Sequence, residues 1–328
     1  NLFFHETSAY QPGEYDTDGW DVWQMGAIYI DKSSEHCIIR NNDIFDCVAG
    51  IKSYGKHALI ENNYIHDCNR VLKEWHWGPI GIWLGADHQE VRYNRIINYR
   101  AEDDRIVWNG ADGSAMEIDD GRYHKSNISI HHNYTRACQG FLEVTGSDVG
   151  IKPRYENFRI HHNISDDYQW FVGLWRSKGF RIDHNTVIRT RVNSNEKGVF
   201  HITTRDAKNF IRNNIIVTRD SIVVFNTGQN RDNRPGNLIQ NNLYFATDGR
   251  LNMGKEGPGE NPVFGDPRFR NYSNRSSEGD YAIMKRSKGI DKALKLEASS
   301  SSEPCGAGSD IGAVEFSSKR KSKKVKNQ

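Results

Sequence analysis

The 328-residue chain is 36% hydrophobic, has a mean hydropathy of -0.76 and carries 44 basic against 42 acidic residues, for a net charge of +2. The charges are mixed along most of the sequence, which excludes an extended basic face for nucleic acid, and no apolar run approaches the roughly 18 residues of a membrane span. Such a polar composition favours a repeat protein, because each repeat buries only a thin inward stripe against its neighbours.

The N-terminus already reads as part of a repeat. Residues Asn1–Phe4 resemble the middle of a coil, and no basic-then-apolar leader precedes them. We therefore expect a piece of a secreted or periplasmic protein whose signal peptide and first coils lie upstream.

An Asn followed by an apolar strand recurs eight times along the chain. These anchor residues are Asn42, Asn63, Asn94, Asn133, Asn163, Asn185, Asn214 and Asn242. Their intervals of 21, 31, 39, 30, 22, 29 and 28 residues predict a minimum coil of about 21 residues with inserted loops. Asn tolerates left-handed backbone and hydrogen-bonds to equivalent residues above and below, so we expect a ladder of stacked Asn side chains.

A second β-rich segment lies between successive anchors. It reads GIKSY at 50–54, GIWLG at 81–85, SAMEI at 114–118, GFLEV at 140–144, FVGLW at 171–175, GVFHI at 198–202 and SIVVF at 221–225. The alternation lacks a helical period and predicts strands stacked in parallel about 4.8 Å apart. The predicted fold is all-β, a right-handed parallel β-helix solenoid of about eight or more coils.

Two further residue types recur at fixed places relative to the anchors. Cys47, Cys68 and Cys138 lie five residues after an anchor, with Tyr99 and Tyr168 at equivalent positions, which predicts buried, stacked thiols rather than disulfides or metal ligands. His-His pairs at 131–132 and 161–162 precede two anchors. Because neighbouring residues in a strand point to opposite sides, we expect these pairs not to bind zinc.

Alternation along the second strand predicts an outward column. If Ile82, Met116, Leu142 and Phe200 point inward, then Trp83, Glu117, Glu143 and His201 point outward, with Gly173 or Trp175 on the intervening coil. Stacked carboxylates repel and do not help folding, so we interpret Glu117, Asp119, Asp120 and Glu143 as functional. A solvated acidic face is the alternative interpretation.

The longest interval, between Asn94 and Asn133, predicts a binding wall beside this column. Trp rings nearby can stack on sugars. The candidate substrate-binding residues are Trp83, Trp108, Asp112, Trp175, Arg176 and His201. Two carboxyl groups on adjacent strands also lie close to the spacing of about 5 to 5.5 Å that retaining glycosidases require.

The motifs GIWLG and GFLEVTG resemble strand motifs of the β-helix β-xylosidases of glycoside hydrolase family 120. In that family an Asp in a WLDW-like strand and a Glu in an FVEV-like strand one coil later form the catalytic pair. The resemblance implies that Glu143 is the general acid/base. Gly85 stands at the Asp position, so Asp119 or Asp120, 24 or 23 residues before Glu143, becomes the candidate nucleophile and Glu117 a tuner of their pKa values.

After Asn242 the register fades. Residues 261–316 resemble the closing segment of bacterial secreted β-helix proteins through NPVFGDPRF, DYAIMKRSKGID and SDIGAVEF. The resemblance implies coils over 1–260 and a cap over 261–316. Residues 317–328 are basic and read as a disordered tail.

These observations favour a monomeric glycoside hydrolase that acts on a plant or algal polysaccharide or oligosaccharide without a cofactor, a membrane or nucleic acid. The first alternative is a Ca²⁺-dependent polysaccharide lyase of the pectate-lyase-like fold. In that enzyme Glu117, Asp119 and Glu143 would hold the cation, with Lys152, Arg154 or Arg176 near the column. The second is a non-catalytic glycan-binding or structural β-helix.

Overall fold

The computed structural model describes residues 3–5, 26–69, 78–101, 113–118, 124–144, 155–174, 176–191, 198–202, 208–227, 236–272, 278–296 and 308–316. Within these ranges every regular element is a strand. The described residues accordingly contain no helix long and apolar enough to cross a membrane.

Three long parallel sheets surround one core. Sheet A contains β1 (Phe3–His5), β4 (Asp43–Phe45), β7 (Tyr64–Cys68), β10 (Arg95–Tyr99), β14 (Tyr134–Arg136), β18 (Ile164–Asp166), β22 (Thr186–Arg189), β25 (Ile215–Thr218), β28 (Leu243–Ala246) and β30 (Val263–Phe264). Sheet B contains β2 (Ile28–Ile30), β5 (Ala49–Ser53), β8 (Ile80–Leu84), β11 (Ser114–Glu117), β15 (Leu142–Glu143), β19 (Val172–Leu174), β23 (Phe200–Ile202), β26 (Val223–Asn226) and β29 (Asn252–Gly254).

Sheet C contains β3 (Ile38–Arg40), β6 (Leu59–Glu61), β9 (Glu90–Arg92), β13 (Ser129–His131), β17 (Arg159–His161), β21 (Arg181–Asp183), β24 (Phe210–Arg212) and β27 (Leu238–Gln240). A short parallel sheet of β12 (Lys125–Ser126), β16 (Tyr155–Glu156) and β20 (Ser177–Lys178) widens three coils. Each coil runs through sheets C, A and B in turn. The chain is therefore a right-handed parallel β-helix, the hand that parallel crossovers adopt.

Inward side chains stack directly on their register partners. In sheet B the stack runs Ile51, Ile82, Met116, Leu142, Val172, Phe200 and Phe225, all with no exposed surface. Burying each of these side chains contributes about 1.5 to 3 kcal/mol. The predicted inward set of sheet B is confirmed.

The eight anchor residues form the predicted ladder. The Nδ2 of each Asn donates to the Oδ1 of the next, over 2.9 to 3.1 Å, from Asn42 to Asn242. The same oxygen accepts the backbone N–H of the preceding anchor, as Asn163 Oδ1 does from Asn133 N.

One part of the ladder prediction is wrong. The left-handed backbone belongs to the residue before each anchor and not to the anchor Asn. These residues are Asn41, Asn62, Tyr93, His132, His162, His184, Asn213 and Asn241, with φ between 52° and 59°. The turn is made by the residue before the anchor. The requirement for Asn at the anchor therefore comes from its side-chain hydrogen bonds and not from its backbone conformation.

The stacked thiols are packed as predicted. Cys47, Cys68 and Cys138 are buried and free of disulfides, and the Tyr99 hydroxyl donates to Cys47 O at 3.0 Å. Burial raises the pKa of the Cys138 thiol well above its ordinary value, which keeps it unreactive.

The segment after β30 lies along the outer face of sheet A. Its antiparallel strands β31 (Phe269–Asn271) and β32 (Asp280–Ile283) belong to a hydrophobic cluster with Ile311 and the outward side chains of sheet A. Those outward side chains are Ile188, Ile215, Val217 and Leu243. That this segment also closes the end of the solenoid stays a prediction, and residues 317–328 lie outside the described ranges.

Candidate functional site

The outward column of sheet B is built by strand register. Lys52 pairs with Trp83, Trp83 with Glu117, and Glu117 with Glu143. One coil further, Gly173 pairs with His201, and Leu142 with Val172, so Gly173 is the neighbour of Glu143. The predicted column of Trp83, Glu117, Glu143 and His201 is thus in register, and Gly173 fills the intervening position.

Glu117 and Glu143 are neighbouring carboxyl groups on adjacent coils. Their Cα atoms are direct register partners, a relation that places strands about 4.8 Å apart. Glu117 is 8% exposed, Glu143 is half-buried, and Ser114 Oγ lies 3.5 Å from Glu117 Oε2. Adjacent strands at this spacing can bring two carboxyl groups near the separation of about 5 to 5.5 Å that a nucleophile and an acid/base require.

Lys52 is a member of the column that the sequence analysis missed. It is fully buried, with Nζ 4.6 Å from the ring centroid of Trp83 and 5.2 Å from that of Tyr54. Cation–π contact offsets part of the cost of burying an ammonium group. The alternation of the sequence already indicated this position. Lys52 occupies the outward position of GIKSY, just as Glu117 occupies the outward position of SAMEI.

Trp83 points away from the core but is only 5% exposed. Its ring is engaged by the Lys52 ammonium. A role of Trp83 as a sugar platform therefore stays a prediction.

Gly173 occupies the outward position between Glu143 and His201 and contributes no side chain there. Gly173 is itself buried, and a Cβ at this position would lie 3.2 Å from Val144 O. A larger residue here would therefore crowd the backbone of the neighbouring coil.

Several predicted site residues lie outside the described ranges. They are Asp119 and Asp120, Trp108, Asp112 and Trp175, together with Lys152 and Arg154 of the lyase alternative. Arg176 is described as a half-buried residue with left-handed backbone (φ 47°), directly before β20. It stands where the chain leaves sheet B, at one flank of the column.

A polar cleft of about 520 Å³ lies on the turn from sheet A to sheet B. Asp46, Asp67, Asn98, Arg100 and Tyr168 are among its lining residues. The Arg100 guanidinium lies 4.1 Å from the Tyr168 ring centroid, and Asp67 accepts from Asn98 Nδ2 at 2.6 Å. Carboxylates, an amide and an aromatic ring in one cleft suit a polyhydroxylated ligand.

A buried charge cluster supports the turn that enters β19. Arg189 is fully buried and donates to Ser165 Oγ at 2.9 Å, to Trp170 O at 3.1 Å and to Gln169 O. Burial raises the pKa of the neighbouring Asp167, and the Arg189 charge opposes that shift. The arrangement fixes the backbone before Gly173, and the sequence offered no periodic signal for it.

The expectation that neighbouring histidines point to opposite sides is wrong. His131 Nδ1 and His132 Nδ1 lie 2.8 Å apart, and the pair at His161 and His162 repeats this at 2.9 Å. The left-handed backbone of the second His in each pair breaks strand alternation and turns both rings toward each other. The argument that these histidine pairs cannot bind zinc therefore no longer holds.

Comparisons with known proteins return structural neighbours but no sequence relatives. No protein-family model and no curated protein matches the sequence. XylC in complex with xylose is 14% identical at a TM-score of 0.47, covering 73% of this chain and 45% of that chain. A tailspike protein double mutant of E. coli bacteriophage HK620 is 12% identical at a TM-score of 0.48, covering 70% and 41%.

The pectate lyase Pel9A is 10% identical at a TM-score of 0.32, covering 88% of this chain and 86% of that chain. The chain thus spans less than half the length of XylC and of the tailspike protein. At these scores the likeness carries no argument about activity. The chemistry has to be argued from the column itself.

Proposed function

We propose that the protein is a carbohydrate-active enzyme, a retaining glycoside hydrolase that cleaves a plant or algal polysaccharide or oligosaccharide on the outer face of sheet B. The observation that carries the proposal is the register pairing of Glu117 with Glu143. Two outward carboxyl groups on adjacent coils contribute nothing to the core, and strands about 4.8 Å apart can bring them near the spacing that double displacement at an anomeric carbon requires.

In this proposal Glu143 is the general acid/base. It protonates the leaving glycosidic oxygen while a second carboxylate attacks the anomeric carbon, so one C–O bond breaks as another forms. Glu143 then removes a proton from the water that hydrolyses the glycosyl ester. The second carboxylate is Glu117, the register partner of Glu143, or, as the motif resemblance implies, Asp119 or Asp120.

Gly173 places no side chain between Glu143 and His201 in the column. In the proposal His201, half-buried on the coil after Gly173, donates or accepts a hydrogen bond with a sugar hydroxyl. The polar cleft near Arg100 and Tyr168 supplies a second contact region on the flank of the sheet.

The test is a glycan and aryl-glycoside panel with Glu143→Gln and Glu117→Gln. Loss of a proton donor or nucleophile lowers kcat by at least about 10²-fold, whereas Glu35→Gln, exposed on the turn before sheet C, leaves it unchanged. Circular dichroism verifies the fold of each variant. Full activity of Glu143→Gln on the substrate found would remove it from the mechanism.

The products separate the hydrolase from the alternatives. A new reducing end with no absorbing double bond supports hydrolysis. An unsaturated uronate whose formation stops with a chelator would assign a Ca²⁺-dependent lyase, with Glu117, Asp119 and Glu143 as cation ligands. Glycan binding without any product would assign a non-catalytic binding module.

A further inference from the structure

Two successive coils carry a His-His pair at the corner between sheets C and A. His131 and His161 are register partners in β13 and β17, with ring centroids 4.8 Å apart and ring planes 3° from parallel. His132 and His162 stack in the same way at 5.1 Å and 4°. Together with the Nδ1–Nδ1 contacts of 2.8 and 2.9 Å within each pair, these four rings form what we call the histidine quartet.

We propose that the histidine quartet binds one divalent transition-metal cation of the zinc, copper and nickel class. Imidazole nitrogen is the preferred protein donor for these ions. One ring nitrogen from each of His131, His132 and His161 lies within 4.8 Å of the others. His162 adjoins this group, with its Nδ1 2.9 Å from His161 Nδ1. This proposal is independent of the proposed glycosidase activity.

The spacing suits a small cation after modest ring rotation. Zn–N bonds of about 2.0 to 2.1 Å place tetrahedral ligand nitrogens about 3.3 Å apart. The Nδ1 atoms within each pair must separate by roughly half an ångström, and the stacked rings must tilt toward each other. Rotation about the side-chain torsions supplies both changes. His131 and His161 are the last residues of β13 and β17, and His132 and His162 lie at the left-handed turn that follows each strand.

Glu90 fixes the protonation pattern that a metal needs. His131 Nε2 lies 3.0 Å from Glu90 Oε1, which also accepts from Arg92 Nη1 at 2.7 Å. A carboxylate acceptor holds the proton on Nε2, so the Nδ1 lone pair of His131 faces His132. Carboxylate–histidine–metal triads use this arrangement to orient the ligand and raise its basicity.

The quartet is half-buried and bounded on both sides by rings. Tyr93 packs on His132 at 5.0 Å, and His184 stacks on His162 at 5.3 Å. His184 is itself held by Asn213 Nδ2 at 3.0 Å and by Asp310 O at 3.2 Å. Burial lowers the pKa of His161 to about 2 and that of His162 to about 3, so these rings are neutral donors at physiological pH.

A second histidine stack in the same molecule is a matched control. His36, His57 and His88 stack at 4.8 Å with planes within 11° of parallel, but they are exposed. At that corner each described coil contributes a single imidazole. The comparison separates a built site from surface histidines that capture metal weakly.

The test is a calorimetric titration of the untagged, chelator-treated full chain with Zn²⁺, Cu²⁺ and Ni²⁺. We expect one equivalent bound with micromolar or tighter affinity, a loss of at least tenfold in His161→Gln and in His132→Gln, and unchanged affinity in His57→Gln. Bound metal also raises the melting temperature of the parent chain but not of the quartet variants.

Cobalt substitution supplies a readout of the ligands. Co²⁺ absorption bands of tetrahedral nitrogen coordination should be present in the parent chain and in His57→Gln, and absent in His132→Gln. Binding that is absent, that persists in both quartet variants, or that is lost in His57→Gln overturns the proposal. Using two quartet substitutions guards against one of them unfolding.

Discussion

Arg189 shows at the scale of a single residue how much of this molecule depends on buried charge. Its guanidinium has no exposed surface and is held by backbone carbonyls and Ser165, close to Asp167. Burial lowers the pKa of Arg189 to about 10, and it still keeps its charge at neutral pH. Such a group stabilises the fold only while all its partners remain.

We expect Arg189→Met to lower the free energy of unfolding by about 3 kcal/mol or more, because it leaves carbonyl groups unpaired and Asp167 without its nearby positive charge. Urea denaturation measures the change, with exposed Arg159→Met as the control. The double variant Arg189→Met/Asp167→Asn should recover part of the loss. Equal stability of Arg189→Met and the parent chain would contradict this account.

At the scale of an element, the Asn ladder likewise depends on every buried polar group keeping its partners. Interior Asn163 donates to Ile130 O and to Asn185 Oδ1 and accepts from Asn133. Asn42, at the first rung, is half-buried and its Nδ2 donates to Asn63 alone among the bonds of the described residues. The two side chains are chemically identical, but Asn163 is buried and Asn42 is half-buried.

Asn163→Ala should therefore cost about 2 to 4 kcal/mol, since each buried partner left unsatisfied costs about 1 to 3 kcal/mol. Asn42→Ala should cost about 1 kcal/mol or less. Denaturant titration of both variants under one buffer compares them directly. Similar losses at the two positions would show that the ladder bonds do not determine the difference.

How far the sequence predicts this element is clear from particular residues. Spacing gave the anchor Asn residues, and alternation gave Trp83, Glu117, Glu143 and His201, because both patterns follow from strand geometry. Lys52 follows from the same alternation, but a single cation beside a Trp forms no motif that would mark it as part of a site. The facing of His131 and His132 could not be predicted, since it depends on a left-handed residue that breaks the alternation.

At the scale of the whole molecule, the C-terminal segment ties distant coils together. His184 Nδ1 hydrogen-bonds to Asp310 O, and Gly312 N donates to Asn213 O. Tyr281 OH donates to Asp166. These contacts join residues that are far apart in the sequence and lie outside the coil repeat. The repeat therefore could not predict them. Glu315 lies in this segment, where burial and then Asp310 raise the pKa of its carboxyl to about 7.

A raised pKa means that the folded chain holds this proton more tightly than the unfolded chain, so stability falls as pH rises from the ordinary Glu value near 4.5 through about 7. Glu315→Gln removes that loss. Relative to the parent chain, the variant should gain on the order of 1 kcal/mol between pH 5 and pH 8 after solvent screening. Thermal melts at both pH values measure the gain, and an equal gain in Glu35→Gln would contradict it.

The hydrogen bonds of the Asn ladder all run in one direction along the solenoid. Every bond between anchors is donated by the earlier Asn and accepted by the later one, so the side-chain dipoles add head to tail as peptide dipoles do in a helix. An Asp at an interior rung would accept but not donate, and a Ser would be too short to do both. The carboxamide is thus the polar group that can propagate such a chain, and it polarises this corner from Asn42 to Asn242.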